Sequence, residues 1–85
     1  MKRLVRASSV GELDEERYLH TLIGDLQSAG LPITDMQVRP GGRFVRIEYH
    51  QSGTPRSVLM LKSSLSWDFN QLDADIATVQ SVLRA

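Results

Sequence analysis

The chain has 85 residues, a length that fits one domain with a small hydrophobic core. It contains 41% hydrophobic and 24% charged residues, which excludes a disordered composition, and its lack of cysteine excludes a disulfide framework and a thiolate metal site. Ten basic and ten acidic side chains cancel, so the net charge by itself indicates no partner.

Charge is unevenly distributed along the chain. Between residues 12 and 25 five acidic residues accompany a single base, Arg17, whereas between residues 36 and 65 five basic residues accompany a single acid, Glu48. Further positive charge near the N-terminus comes from Lys2, Arg3 and Arg6. The sequence therefore predicts a domain with one acidic and one basic side.

The first residues do not resemble a targeting segment. The stretch from Leu4 to Val10 is too short and too polar for the hydrophobic part of a signal peptide, and no run reaches the length of a membrane span. Together with the absence of cysteine, this favours a cytoplasmic location and no membrane partner. Residues 3–8 fit either an edge strand or an arm. We therefore predict one domain, 1–85, in which residues 1–9 are an N-terminal arm or edge strand and residues 10–85 are the αβββα core.

The first predicted helix covers about residues 12–29. Its apolar stripe has the three-and-four spacing of an amphipathic helix and consists of Leu19, Leu22, Ile23 and Leu26. Asp14, Glu15 and Glu16 are expected in the first turn, where carboxylates oppose the positive end of the helix dipole. Gly30 is expected just after the helix, where a left-handed residue is common, and Pro32 prevents its continuation.

A period of two replaces the helical period in the middle of the chain. Three strands are predicted at about Asp35–Arg39, Arg43–His50 and Arg56–Ser63, separated by segments rich in Gly, Pro and Ser. In the second strand, Val45, Ile47 and Tyr49 point to one face, which we expect to be buried. The third strand carries apolar residues on both faces, because Val58 and Met60 alternate with Leu59 and Leu61, so we expect both of its faces to be covered.

A second amphipathic helix follows. Its apolar residues are Phe69, Leu72, Ile76, Val79 and Leu83. Asp68 or Asn70 is the expected N-cap, and Asp73 and Asp75 are expected to favour the first turns electrostatically. The sequence thus predicts an α+β two-layer sandwich in the order α-β-β-β-α, with a three-stranded antiparallel meander and both helices on one sheet face.

No catalytic, metal or cofactor site is indicated. The carboxylates fall mainly on outer helix faces and caps, and no serine sits in a G-x-S-x-G turn. Neither His20 nor His50 has a second histidine at the spacing of a helical metal site. The segment Pro40-Gly41-Gly42 joins two strands and is interpreted as a hairpin turn rather than a phosphate-binding loop. We expect a protein that is not an enzyme and needs no cofactor.

The basic strand region is the candidate binding site for nucleic acid or a protein partner. Its residues are Arg39, Arg43, Phe44, Arg46, His50, Arg56 and Lys62. Positive side chains can neutralise phosphates along a nucleic-acid backbone, although charged residues also protect exposed sheet edges from aggregation. Free edges, together with expected exposure of Met36 and Leu65, make a homodimer a further possibility.

The element order, the Leu-rich helix ending in Ala29-Gly30 and the Gly-Gly hairpin resemble, over about residues 18–85, the double-stranded-RNA-binding-like fold of HicA-type proteins. The resemblance implies an RNA-cleaving toxin, or one of the small phage and mobile-element proteins that share the arrangement. HicA proteins carry their catalytic histidine just after a glycine at the start of the middle strand. Gly42-Arg43-Phe44 occupies that place here, so the resemblance implies no nuclease role.

Three functions follow as hypotheses. The first is a non-enzymatic module that binds nucleic acid, or a nucleic-acid-handling complex, through the basic strand face. The second is a protein inhibitor or adaptor of a phage or mobile element, for example one that acts against host defence, which the two-sided charge would steer to its partner. The third is a HicA-type ribonuclease, which the missing histidine disfavours.

Overall fold

The computed structural model describes the backbone of residues 6–84 and the side chains of residues 14–84. The elements in chain order are α1 (Arg6–Ser28), β1 (Ile33–Val38), β2 (Phe44–Gln51), β3 (Thr54–Leu61) and α2 (Leu72–Arg84), with 3-10 turns at Lys62–Ser64 and Phe69–Gln71. The three strands form one antiparallel sheet in the order β1-β2-β3. The predicted α+β order of helix, three antiparallel strands and helix is confirmed.

Helix α1 begins well before its predicted start. It opens at Arg6, so the expectation that Asp14, Glu15 and Glu16 occupy the first turn is wrong, and they lie more than two turns inside the helix. No proline interrupts residues 6–13, so nothing in the backbone stops the helix from extending in this direction. Residues 6–9, predicted as a strand or an arm, are helical, and residues 1–5 lie outside the described residues.

The C-terminal end of α1 follows the predicted glycine stop. Gly30 has a φ of 90°, and its N–H donates to the carbonyl of Gln27 at 3.0 Å. The N–H of Leu31 donates to the carbonyl of Leu26, also at 3.0 Å. These two bonds form a Schellman motif, which satisfies carbonyls at the helix end and turns the chain toward β1.

The hydrophobic core lies between the helices and one face of the sheet. Its buried residues are Tyr18, Leu19, Leu22, Leu26, Ile33, Met36, Val45, Ile47, Met60, Leu65 and Val79. The predicted inward face of β2 is confirmed, since Val45 and Ile47 are fully buried and Tyr49 is half-buried. Met36 and Leu65 are also buried, so the expectation that they are exposed is wrong.

Two tight turns fix the register of the meander. Between β1 and β2, the N–H of Gly42 donates to the carbonyl of Arg39 at 2.9 Å, and Gly41 has a φ of 97°, which together with Pro40 indicates a type II turn. Between β2 and β3, Ser52 and Gly53 have φ values of 54° and 80°, as a type I′ hairpin requires. The interpretation of the Gly-Gly segment as a hairpin turn is therefore confirmed.

Helix α2 is entered through a capped 3-10 turn. Asp68, one of the two predicted caps, accepts a hydrogen bond from the backbone N–H of Asn70 at 2.9 Å through Oδ1. The α-helix itself begins at Leu72 and buries Val79 against the core. Asp75 lies on the same buried side of α2, whereas the sequence predicted a solvated carboxylate that favours the first turns.

Candidate binding surface

The backbone hydrogen bonds of the central strand alternate between its two neighbours. The carbonyl of Phe44 accepts a hydrogen bond from the N–H of Arg39, the residue after β1, at 2.8 Å. The carbonyl of the preceding residue, Arg43, accepts a hydrogen bond from the N–H of Lys62, the residue after β3, also at 2.8 Å. Side chains alternate likewise, so every second residue of the sheet points away from the helices. We call this side the open face, and it carries Asp35, Gln37, Arg39, Phe44, Arg46, Glu48, His50, Ser57, Leu59 and Leu61.

One corner of the open face is apolar. Phe44 lies directly opposite Leu61 in the β2–β3 ladder. Leu59 precedes Leu61 by two residues, so it points to the same side of β3. Phe44 is 39% exposed, and Leu59 and Leu61 are each 53% exposed. The prediction that both faces of β3 are covered is therefore wrong, because no described element packs on its outer side. We call these three residues the apolar corner.

Charges of both signs lie next to the apolar corner. Nε of Arg46, the cross-strand neighbour of Leu59, lies 3.4 Å from Oε2 of Glu48. Glu48 faces Asp35 across the β1–β2 ladder, so two carboxylates lie next to each other on the open face near the start of β1. Both members of the Arg46–Glu48 pair are 41% exposed, and such a pair contributes about 0–1 kcal/mol to stability. Its main effect is to reduce the positive charge that Arg46 offers to a phosphate.

The predicted binding residues do not share one surface. Phe44, Arg46 and His50 lie on the open face, and Arg39 and Arg43 flank the β1–β2 turn. Arg56 is the cross-strand partner of the inward-pointing Tyr49, so it points to the helix side of the sheet. Lys62 lies six residues later, and by alternation it points to the same side. The structure therefore separates the basic side chains over two faces and two ends of the sheet.

Lys62 is already engaged by the protein itself. Its Nζ forms an ion pair with Oε2 of Glu15 on α1, and it lies 5.7 Å from the centre of the Trp67 ring. The ion pair ties the end of β3 to α1, and the position over the indole ring adds a cation–π contact. Lys62 therefore takes part in contacts that hold the fold, and its role in binding stays a prediction.

A shallow cavity adjoins the apolar corner. It has a volume of about 410 Å³ and is lined by Gly42, Arg43, Leu61, Lys62, Ser63 and Trp67. Trp67 has a φ of 59°, a conformation that bulky residues rarely adopt, and its indole N–H donates to the carbonyl of Lys62 at 2.9 Å. Trp67 therefore anchors the loop that follows β3, and its ring extends the apolar surface next to Leu61.

A buried polar cluster joins α1, the segment before α2, and α2. The Asp75 carboxylate is 2% exposed and accepts hydrogen bonds from the Tyr18 hydroxyl, from the backbone N–H of Ser66 at 3.0 Å, and from Ser66 Oγ at 2.8 Å. Burial, together with the hydrogen bond to Asp75, raises the pKa of Tyr18 to about 12. The cluster lies in the interior, away from the open face, and its contacts are structural.

Sequence reasoning missed this cluster, although a signal exists. Tyr18 precedes Leu22 and Leu26 by steps of four, and Asp75 lies three residues after Leu72 and four before Val79. A polar residue at a position of the apolar stripe indicates a buried partner.

Within the described part of the chain, no three His, Asp or Glu side chains are close enough to share a metal ion. His50 lies near the C-terminal end of β2. The Gly42-Arg43-Phe44 segment, which corresponds to the position of the HicA histidine, lies at the other end of the strand. Lys2 and Arg3 lie outside the described residues, and Arg6 is the first residue of α1.

Over residues 6–84, no helix is both long enough and apolar enough to cross a membrane. Comparison with protein families, curated proteins and solved structures gives no match to this chain.

Proposed function

We propose that this chain is a non-enzymatic binding module that recognises a protein partner through the apolar corner of its open face. The observation that carries the proposal is the exposure of Phe44, Leu59 and Leu61 side by side on an uncovered sheet. Contiguous exposed apolar residues with a polar rim are typical of protein-contact surfaces. Because the two leucines offer aliphatic surface rather than rings, they suit the packing of another protein better than the stacking of bases.

The charges around the corner support a protein partner as well. Glu48 and Asp35 lie on the same face and would repel phosphates, while Glu48 already engages Arg46. Arg43 remains at the edge of the cavity beside Leu61 and offers a guanidinium to an acidic side chain of the partner. We therefore favour an adaptor or inhibitor, for example one that acts on a nucleic-acid-handling complex or a host defence complex.

Site-specific crosslinking tests this proposal. A photoreactive amino acid at Leu59 should capture a partner protein from host extract, and the Leu61→Gln substitution in the same chain should abolish that capture. The same photoreactive group at the exposed Asp73 of α2 is the matched control and should not capture the partner. Recovery of the same proteins from both positions, or of none from Leu59, would contradict the proposal.

Direct binding to nucleic acid is the second candidate. Arg39 and Arg43 flank a turn built from two glycines, next to the aromatic ring of Phe44, so a backbone phosphate and a base could be contacted at this end of the sheet. Gel-shift titrations with duplex RNA and duplex DNA over a salt series test it. Affinity should fall steeply with salt and should decrease on Arg43→Ala but not on Leu59→Gln. Absence of binding at low salt would exclude this candidate.

A HicA-type ribonuclease is the least favoured candidate. It would have to use His50, which lies at the opposite end of β2 from the segment that the resemblance singles out. A cleavage assay on RNA with the native chain and with His50→Ala is the direct test, and we expect no cleavage from either protein.

A further inference from the structure

The edge of the sheet formed by β1 is open in the described part of the chain. Arg39 pairs with Phe44, and by alternation the N–H and C=O groups of Gln37 and Asp35 also point toward β2. The backbone groups of Met36 and Val38 therefore point outward, where no described strand pairs with them. An uncovered row of this kind is a template for the addition of another strand.

Both ends of this free edge are defined. The register of the β1–β2 ladder shifts between Ile33 and Asp35, which disrupts regular pairing at that end. At the other end Pro40 has no N–H to donate. Regular pairing with a further strand is thus confined to residues 35–39, and the centre of that segment is Gln37.

Two opposite charges lie at equal distances along the strand on either side of this centre. Asp35 and Arg39 lie on the open face, two residues before and two residues after Gln37. Neither side chain belongs to an ion pair with another described residue. An antiparallel strand of identical sequence, centred on the same glutamine, would place an arginine opposite each aspartate.

We propose that two copies of this chain pair through the free edges of β1, in the antiparallel register that places Asp35 of each copy opposite Arg39 of the other. In this register the N–H and C=O groups of Met36 and Val38 bond to Val38 and Met36 of the second copy. The charged pairs occupy positions without backbone bonds, where the Cα atoms approach to about 4.5 Å and side chains are closest. The two sheets become one sheet of six strands.

The surroundings of the edge leave room for the second copy. A groove of about 720 Å³ runs beside β1 and is bordered by Glu16 and His20 of α1 and by the β1–β2 turn. The opposite edge, β3, is less suited to self-pairing because Pro55 removes a donor from it and no charged residue of β3 lies on the open face. The pairing goes beyond the proposed function, since it uses the β1 edge and leaves both apolar corners uncovered.

Disulfide trapping tests the register, and the chain has no native cysteine to interfere. Two copies of Gln37→Cys would face each other across the twofold axis at a Cα separation that a disulfide can span. We expect mild oxidation to give a covalent dimer at least about tenfold faster than for Ser57→Cys, which is exposed on the open face of β3. Equal rates for the two variants would overturn the proposal.

Charge reversal tests the pairing without any covalent bond. Asp35→Arg or Arg39→Asp should each weaken dimerisation, measured by sedimentation equilibrium, by about tenfold, because two attractive pairs become repulsive. The double variant Asp35→Arg/Arg39→Asp should recover native affinity to within about threefold. Arg56→Asp makes the same charge change on β3 and should have no effect.

Two results would overturn the proposal in this second experiment. One is a native chain that stays monomeric at about 1 mM, and the other is a dimer that the single reversals leave unchanged. Circular dichroism identifies any variant that fails to fold, and the double variant then still reports on the pairing. Leu59→Gln should leave the dimer intact, so failure of the proposed function and failure of the pairing are distinguishable.

Discussion

The Tyr18 hydroxyl donates a hydrogen bond to the Asp75 carboxylate, and this contact joins the first helix to the last across the interior of the domain. Both side chains are nearly inaccessible to solvent, with exposures of 1% and 2%. A buried carboxylate that loses a donor retains the cost of its desolvation, so these contacts control how firmly α2 is held.

We expect Tyr18→Phe to lower the free energy of unfolding by about 1.5–3 kcal/mol, because it removes a hydrogen bond to a charged group. Asp75→Ala should lower it further, since the hydroxyls of Tyr18 and Ser66 then lose their shared acceptor and a cavity forms. Urea titrations followed by circular dichroism measure both values. Thr78→Ala, which removes an exposed hydroxyl bonded only within α2, is the control and should change the value by less than about 0.5 kcal/mol.

Stability should decrease in alkaline solution through Tyr18. Burial raises its pKa to about 12 in the folded chain, compared with about 10 when unfolded. The folded state therefore keeps its proton while the unfolded state loses one, so the contribution of Tyr18 is complete below pH 10 and disappears as the pH rises to 12. Two pKa units correspond to roughly 3 kcal/mol of stability.

The measurement is a series of urea titrations between pH 9 and 12 on the native chain and on Tyr18→Phe. The difference in unfolding free energy between the two proteins should shrink across this range. A difference that stays constant with pH would show that Tyr18 titrates alike in both states.

The β2–β3 turn offers a stabilising substitution. Ser52 has a φ of 54°, which asparagine adopts at lower cost than serine, and an Asn-Gly pair is the preferred sequence of a type I′ hairpin. We expect Ser52→Asn to raise the free energy of unfolding by about 0.5 kcal/mol, measured by urea titration. Gly53→Ala should lower it, because Gly53 has a φ of 80° that alanine tolerates poorly.

Neighbouring residues of β3 should respond in opposite ways to the same substitution. Met60→Gln should lower the free energy of unfolding by more than about 2 kcal/mol, because Met60 is 5% exposed in the core. Leu59→Gln should change it by less than about 0.5 kcal/mol, since the leucine lies on the open face. Similar losses for both would contradict the uncovered face of β3.

These positions also show what the sequence could and could not predict. The alternation of Val45, Ile47 and Tyr49 predicted the buried face of β2, because a strand that borders a core on one side must repeat every two residues. The same rule does not identify the buried face of β3, because Leu59 and Leu61 point to one face while Val58 and Met60 point to the other. Apolar residues on both sides are compatible with a covered strand or with an exposed binding surface, and only the tertiary structure distinguishes the two.

For the candidate binding residues, the sequence predicts which face of β2 they occupy but not their tertiary contacts. Phe44, Arg46 and His50 share the outer face of β2, although Phe44 and His50 lie at opposite ends of the strand. Lys62 could not be recognised as an internal contact, since its partner Glu15 is 47 positions away in the chain and sequence distance gives no sign of the pairing.

The alternation of the sheet also has an evolutionary consequence. In a domain only 17 Å thick along its shortest axis, each position of the sheet either packs against the helices or meets the solvent, and adjacent residues belong to different sides. Substitutions at Phe44, Leu59 or Leu61 change the surface that faces solvent, while the neighbouring core residues keep the fold intact. The outer face of the sheet can therefore vary in sequence without a loss of stability at each step.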